Sequence, residues 1–272
     1  MKIKDHLLYD ANGKQVDYHP TPNKRGTYKP QYLIMHYTAV TTAQSTINWF
    51  LNRQASASAH LLIGRDGSLH QFARFNEVCW HAGESHWAGL NGLNKYSIGI
   101  ELVNGGRLTK VGESYICPVD KKSVPHQEVM LATHRNEQAE HPWHEYTEQQ
   151  LEVGQEIAAV MAHTYRLKDV LGHDDISPIR KSDPGPAFPM KSFRAKALGR
   201  ENSTIDEYKT AVDLNIRSGP GTGFPVLTQP LPPNTKVLVM KREGNWSFVE
   251  VNDVVHGLMD LEGWVFTKYL SK

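Results

Sequence analysis

The order of apolar and polar positions predicts strands alternating with helices over roughly the first 200 residues. Residues 32–36 are a short apolar run ending in a histidine, which is typical of a buried strand. Residues 97–103 alternate with a period of two, and residues 60–64 and 69–73 flank an Asp-Gly turn as in a β-hairpin. Strands in alternation with helices indicate an α/β layer fold.

Two segments have the periodicity of amphipathic helices. Residues 43–53 carry apolar side chains at spacings of three and four. Residues 147–165 are the longest candidate, because Thr147 and Gln150 have the spacing of a capping box. One face of this longer helix carries Leu151, Gly154, Ala158 and Met161, with Ile157 beside them. We therefore expect it to pack on the sheet.

The pattern changes near residue 200, where a polar segment without periodicity separates two regions. We place the boundary between domains of residues 1–203 and 204–272. Beyond it the sequence predicts short strands at residues 211–217, 226–227, 236–241, 246–251 and 263–266. Short strands separated by Gly and Pro turns predict a small all-β barrel.

Composition is that of an ordinary globular protein and excludes several classes of function. Hydrophobic residues make up 39% of the chain, and the net charge is +1 without a dense basic patch, which argues against a nucleic-acid partner. No apolar run reaches about 18 residues, so we expect no membrane span. We expect a monomer.

The N-terminus and the cysteines bear on cellular location. Asp5 and His6 precede any apolar run long enough for a secretory signal. This predicts a protein that is cytoplasmic as synthesised, that has had a signal removed, or that reaches the cell wall by another route. Cys79 and Cys117 form no disulfide framework and no CxxC pair, so we expect two thiols and no cysteine zinc site.

The segment GHDDISPIRKSDPGP at residues 172–186 is the first candidate for chemistry. It brings His173, Lys181 and Asp183 together on a proline-rich loop. Pro184 disfavours helical backbone at Asp183, so the chain can fold back and let a histidine and an aspartate face one ion. The alternative is that Asp183 caps a helix beginning near Pro184 and that His173 is a surface residue.

Two further residues stand on predicted strands. His36 ends the first buried strand, and Glu101 points to the face opposite its apolar neighbours in residues 97–103. Each has a simpler interpretation, since a single strand glutamate is usually solvated and a histidine at a strand end is usually structural. Fourteen histidines in 272 residues are a high count, but only two or three would serve a zinc site.

Taken in order, the segments IMHYT, SAHLLIG, CWHAG, SIGIELVNGG and GHDDISPIRKSDPGPAF resemble the type 2 N-acetylmuramoyl-L-alanine amidases, which include peptidoglycan recognition proteins. The resemblance covers about residues 30–200 and implies a mixed central β-sheet flanked by helices. It implies one Zn²⁺ per chain held by His36, His173 and Asp183, with Glu101 and Lys181 as the catalytic pair.

Two positions refine this resemblance. Asp183 stands where the phage-lysozyme and recognition-protein branches have cysteine, so the chain looks like the bacterial muropeptide-amidase branch. Ile179 departs from the glycine common there, which affects the expected geometry of the loop.

The resemblance also implies a reaction and a cleft. The reaction is hydrolysis of the amide between N-acetylmuramic acid and L-alanine in peptidoglycan or muropeptides, with Trp80, His81 and Asn94 binding substrate. Core packing is the alternative for Trp80, and we expect His60 to be structural. The functional alternatives are a non-catalytic peptidoglycan receptor and a zinc amidase with another amide substrate.

The tail has a resemblance of its own. LNIRSGPGTGFPVL, TKVLVMKREGNWSFVEV and EGWVFTKYL are similar to a bacterial SH3-like (SH3b) domain, a class that often binds cell-wall peptide. This implies that the tail tethers the enzyme to peptidoglycan, with Trp246, Trp264 and Tyr269 as contacts. The alternative is that these aromatic residues form the core of a small barrel.

Overall fold

The structure, a computed structural model, describes residues 1–199, 207–253, 255–256, 258 and 261–272. The chain divides into two compact units, Met1–Arg200 and Glu201–Lys272. The boundary predicted at residue 203 lies outside the described residues.

The described residues contain four α-helices and a larger number of short strands. The helices are α1 (Ala43–Leu51), α2 (Glu148–Tyr165), α3 (His173–Ile176) and α4 (Met190–Ala197). The strands of the first unit are β1 (Lys2–Lys4), β2 (Leu7–Tyr9), β3 (Asp17–Tyr18), β4 (Lys24–Thr27), β5 (Tyr32–Tyr37), β6 (Leu61–Ile63), β7 (Leu69–Gln71), β8 (Glu77–Cys79), β9 (His86–Trp87), β10 (Leu90–Asn91), β11 (Ser97–Leu102), β12 (Thr109–Val111), β13 (Ser114–Ile116), β14 (Ser123–Val124), β15 (Val129–Thr133), β16 (Glu140–His144) and β17 (Asp169–Gly172). The second unit contains β18 (Glu207–Thr210), β19 (Lys236–Glu243), β20 (Trp246–Val251), β21 (Glu262–Phe266) and β22 (Leu270–Ser271).

A six-stranded sheet in the order β17-β5-β11-β6-β7-β3 forms the centre of the first unit. Strands β17, β5, β11 and β6 are parallel to one another, and β7 runs antiparallel to β6. The predicted mixed sheet is therefore confirmed. Strands β5 and β11 are parallel neighbours within the sheet. Their C-terminal ends therefore lie side by side.

Helices cover both faces of this sheet, as the predicted α/β layer fold requires. On one face α2 and α4 pack against apolar side chains of β5, β6 and β11. Thr147 caps α2 in a full capping box with Gln150, which confirms the predicted start of this helix. On the opposite face Ile47 and Phe50 of α1 pack against Leu62 of β6.

Cys79 and Cys117 are buried free thiols, in agreement with the sequence prediction. In the described part of the chain, none of the helices has the length and apolarity that crossing a membrane requires.

The described residues of the second unit form a five-stranded sheet in the order β21-β20-β19-β18-β22. Strand-like pairing at residues 236–241, 246–251 and 263–266 confirms three predicted strands. The strands predicted at 211–217 and 226–227 are wrong. There the chain makes only isolated bridges, because Leu214 pairs with Leu231 whereas Arg217 pairs with Val226 and Trp264. A segment that changes partners every few residues cannot build a continuous ladder.

Candidate metal centre and active site

Strand register places the first two candidate residues side by side. His36 on β5 lies directly opposite Glu101 on β11, and Glu101 lies opposite Leu62 on β6. Register partners share a face of a sheet, so His36 and Glu101 point to the face on which α1 packs. The glutamate is therefore not a solvated strand residue on an outer surface.

The loop after β17 brings two further residues to His36. Strand β17 ends at Gly172, and His173 begins the single turn of α3. The chain then folds back so that the backbone N–H of Asp174 donates to the carbonyl of Asp183 at 2.8 Å. The helix that follows begins only at Met190, which excludes the alternative in which Asp183 caps a helix near Pro184.

Three donor atoms converge in this arrangement. Nδ1 of His36 lies 2.9 Å from Nδ1 of His173 and 2.8 Å from Oδ2 of Asp183, and the last two atoms are 3.0 Å apart. All three residues are buried. Ligand atoms of tetrahedral zinc, each about 2.0–2.1 Å from the ion, lie about 3.3 Å from one another. Shifts of a few tenths of an ångström would give that separation, so the residues fit a zinc ion.

In His36 and His173, the hydrogen bond made by Nε2 determines whether Nδ1 carries a lone pair. For His36 the partner of Nε2 is His81. Nε2 of His81 lies 3.1 Å from the carbonyl of Ser97, which can only accept, so this nitrogen carries the hydrogen. Nδ1 of His81 is then an acceptor at 3.0 Å from Nε2 of His36, which must donate to it. Burial lowers the pKa of His36 to about 4, with His173 adding to the effect, so the ring is neutral and its Nδ1 presents a lone pair.

The same reasoning applies to His173, whose Nε2 lies 3.1 Å from the carbonyl of Ala82 and donates to it. Its Nδ1 then faces inward, 2.9 Å from Nδ1 of His36 and 3.0 Å from Oδ2 of Asp183. A cation between these atoms would hold all three through their lone pairs. This donor set, two imidazoles and a carboxylate, is one that zinc prefers.

A glycine makes room for His81. A Cβ added at Gly99 of β11 would lie 2.5 Å from Cγ of the His81 ring. Only glycine at this position leaves room for the ring, so the sequence SIGIE lets His81 contact His36 as well as placing Glu101 beside it.

Glu101 is surrounded by the charges that acid–base chemistry needs. Burial raises its pKa well above the ordinary value, the carboxylate of Asp183 raises it further, and the positive charge of Lys181 opposes both. Oε2 of Glu101 has no hydrogen-bond partner among the described protein atoms. This buried oxygen therefore has hydrogen-bonding capacity that no described protein atom uses.

A cavity of about 630 Å³ opens over these residues. The predicted ligands, Glu101 and Lys181 all line it, and so do Trp80 and His81. His81 uses both ring nitrogens on protein partners, so its position is that of a residue that orients His36. The half-buried Trp80 lines the cavity wall and is not a core residue.

Asn94 lies elsewhere. It is not part of the cavity wall in the described structure, and its Oδ1 accepts from the backbone N–H groups of His81 at 3.0 Å and Ala82 at 2.7 Å. Its side chain holds the loop that carries His81. His60 is buried and bonds the backbone through both ring nitrogens, which confirms its structural role.

Two further residues of this site were not predicted from the sequence. Arg180 donates through Nη2 to the carbonyls of Ala82 at 3.0 Å and Glu84 at 2.8 Å. It therefore connects the loop between His173 and Asp183 to the loop after β8. Trp49 on α1 lines the cavity with 53% of its surface exposed. Periodicity signals neither role. The departure at Ile179 falls on a fully exposed side chain beside Arg180.

The chain matches two known protein families. The N-acetylmuramoyl-L-alanine amidase family (Amidase_2) matches residues 26–186, more than half of the chain. The chain belongs to this family. The bacterial SH3 domain family matches residues 212–271, so this amidase-family chain also carries a bacterial SH3 domain.

Two relatives of this amidase-family chain come from Escherichia coli K12. The 1,6-anhydro-N-acetylmuramyl-L-alanine amidase AmpD is 32% identical over 137 residues, which is 50% of this chain and 56% of AmpD. The N-acetylmuramoyl-L-alanine amidase AmiD is 30% identical over 176 residues, which is 61% of this chain and 53% of AmiD. The chain thus spans about half the length of the curated relatives it matches.

The fold agrees with a solved structure. A crystal structure of a selenomethionine AmpD derivative superposes with a TM-score of 0.52 and 23% identity, covering 72% of this chain and 99% of that one. This similarity shows that the two proteins share the amidase fold.

The aromatic residues predicted to contact the cell wall lie on one surface of the second unit. Trp246 and Phe248 of β20 pair with Phe266 and Trp264 of β21, and all four are half-buried. Tyr269 is 40% exposed and its ring lies 5.9 Å from that of Phe266. The core of this unit is built from other residues: Leu214, Ile216, Leu231, Val237, Val249, Val251, Val255 and Val265. The alternative that these aromatic residues form the barrel core is therefore wrong.

Proposed function

We propose that the chain is a zinc-dependent hydrolase that cuts the amide bond between the lactyl group of N-acetylmuramic acid and L-alanine in peptidoglycan or muropeptides. The observation that carries this proposal is the convergence of His36, His173 and Asp183 with Glu101 one strand away. Membership in the amidase family, and its relatives AmpD and AmiD, which are named as amidases of muramyl-L-alanine, support the choice of bond.

His36, His173 and Asp183 would hold the metal and leave its outer side open to the cavity. Zinc held by three protein ligands lowers the pKa of a bound water to about 7 and polarises a carbonyl group. The buried donors keep competing solvent away, and the bonds to His81 and Ala82 keep both imidazoles in the tautomer that binds metal.

Glu101 and Lys181 would divide the remaining work. Glu101, which lines the cavity and has a buried Oε2 without a protein partner, accepts a proton from the attacking water and delivers it to the alanine nitrogen as the C–N bond breaks. Lys181 lines the same cavity, and its ammonium group stabilises the oxyanion that forms on the lactyl carbonyl. Trp49 and Trp80 offer apolar surface to the sugar or the stem peptide.

The second unit would act as a tether to the cell wall. Its half-buried aromatic side chains lie side by side on β20 and β21, and Lys241 lies 5.5 Å above the ring of Trp264. Aromatic side chains exposed in this way are typical of a surface that binds a peptide or a sugar, not of residues that fill the interior of a barrel. Binding there raises the local concentration of amide bonds at the cavity when the substrate is polymeric.

A non-catalytic peptidoglycan receptor is the main competing function. A receptor needs the cleft but not the metal, whereas here metal-binding side chains stand at all three ligand positions and their ligand atoms lie within 4.8 Å of one another. We therefore favour the hydrolase.

Zinc content and product mass test the proposal together. The purified protein should contain about one zinc at the catalytic centre, as a site with three protein ligands holds one ion. It should release free stem peptide beginning with L-alanine from soluble anhydro-muropeptides and from sacculi, as seen by mass spectrometry. A receptor would bind sacculi and leave the masses unchanged, and cleavage of another amide would give different fragments.

A further inference from the structure

A second group of metal-binding side chains lies outside the catalytic cavity. Among the described residues, Asp17, His19 and His70 each offer one ligand atom, and these atoms all lie within 4.8 Å of one another. None of the three lines the cavity. Their chemistry is the same as that of the catalytic centre, two imidazoles and a carboxylate.

Strand pairing creates this group. The edge strand β3 runs parallel to β7, and Asp17 lies directly opposite His70 in that pairing. The backbone N–H of His19 donates to the carbonyl of Gln71 at 2.8 Å, which continues the pairing beyond β3. Residues two apart on an extended chain share a face, so His19 follows Asp17 on the side where His70 projects.

The two imidazoles already have the separation of metal ligands. Nε2 of His19 lies 3.3 Å from Nδ1 of His70, which matches the spacing of about 3.3 Å between ligand atoms of tetrahedral zinc. Their ring centroids are 5.4 Å apart, and the ring of His19 also packs 5.9 Å from that of Phe72. Both rings are half-buried and so partly fixed, whereas Asp17 is exposed and free to turn toward them.

The group is distinct from the catalytic centre although it lies on the same face of the sheet. Register partners lead in one row from His36 to Glu101, then to Leu62, and then to His70. Three steps between strands of about 4.8 Å each separate His70 from His36 by roughly 14 Å. One ion cannot serve both groups.

We propose that Asp17, His19 and His70 form a second binding site for a divalent transition-metal ion, with zinc as the ion we would test. Imidazole nitrogen favours zinc, nickel or copper over calcium and magnesium, which prefer an all-oxygen shell. Water completes the coordination because the site opens to solvent. A bound ion links the edge strand β3 to β7 and closes the edge of the central sheet.

Equilibrium dialysis of the untagged full-length protein against Zn²⁺, with metal counted by plasma mass spectrometry, tests this site. The wild-type chain should bind about two zinc ions at saturation, since each group supplies three ligands. His70→Ala and Asp183→Ala should each bind about one, and the double variant should bind none. His163→Ala, which removes an exposed histidine of α2, is the matched control and should retain both ions.

Thermal unfolding gives a second readout that does not depend on counting ions. In the Asp183→Ala background, Zn²⁺ should raise the melting temperature, and adding Asp17→Asn or His70→Ala should abolish that rise. If wild-type protein and His70→Ala bind the same number of zinc ions, there is no second site. The same holds if Zn²⁺ raises the melting temperature of Asp183→Ala equally with and without the added Asp17→Asn or His70→Ala change. Asp17→Asn changes an exposed side chain, so it keeps the test valid if His70→Ala fails to fold.

Discussion

Replacing Glu101 with glutamine should abolish most turnover and leave zinc binding intact. The side chain lies beside His36 in the register of β5 and β11, but it is not among the three residues proposed as metal ligands. Its Oε2 has no hydrogen-bond partner among the described protein atoms. Replacing the carboxylate with an amide of the same shape therefore removes no hydrogen bond made by this oxygen. The fold and the metal centre should therefore persist.

The size of the loss follows from the role assigned to the carboxylate. A general acid–base group contributes about 10² to 10⁴ in rate, which is about 2.7 to 5.5 kcal/mol of transition-state stabilisation. Glu101 must be ionised to accept a proton. Since burial and Asp183 raise its pKa well above the ordinary value, wild-type activity should fall as pH decreases through that raised pKa. Glutamine does not titrate, so the residual activity of Glu101→Gln should lack this dependence.

The assay is the rate of stem-peptide release from a soluble anhydro-muropeptide, followed by mass spectrometry, with zinc counted on the same samples. Glu152→Gln, an exposed glutamate on α2, is the matched control and should keep wild-type turnover. Asp183→Ala should lose the catalytic zinc together with activity. Wild-type turnover in Glu101→Gln would refute its role as the acid–base group, and loss of zinc in that variant would show that Glu101 belongs to the metal centre.

Three further predictions address other parts of the molecule. His81→Leu should weaken zinc binding by about 10- to 100-fold, the usual effect of losing the hydrogen-bond partner of a ligand. His81→Asn keeps an acceptor and should lose less affinity. Competition with a chelator measures both, and zinc affinities equal to that of the wild type would contradict the orienting role. Burial raises the pKa of Cys79 to about 12, so this thiol should resist iodoacetamide at pH 8 in the folded protein and react after denaturation; ready labelling of native protein, located by peptide mass spectrometry, would show that the site opens. A chain ending at Gly199 should fold, hold zinc and cleave soluble muropeptides but act poorly on sacculi, and equal rates on sacculi would leave the second unit without a tethering role.

Local features of the fold were predictable because their causes are local. The capping box at Thr147 and the period of two in β11 depend on residues within one turn or one strand, and both are present. The failed strand at residues 211–217 shows the limit. Its composition suits a strand, but its partners change from Leu231 to Val226 and Trp264, and pairing partners are set by the rest of the chain.

The candidate site was predictable to a different degree. Considered singly, His36, Glu101, His173 and Asp183 each had an ordinary structural interpretation, and only the ordered set of segments assigned them a shared role. Spacing along the chain could not show that Asn94 holds a loop instead of lining the cavity, because its partners are the backbone N–H groups of His81 and Ala82.

The sequence by itself determined the alternation of strands and helices around β5, β11 and α2, the two-part organisation and the residues capable of binding a metal. The tertiary structure decided which of these residues meet. Parallel register sets Glu101 beside His36, and the same row of strands leads to His70 and Asp17 at the far edge. Register is fixed by packing of whole strands between helices, a cooperative property of the folded chain that no window of neighbouring residues contains.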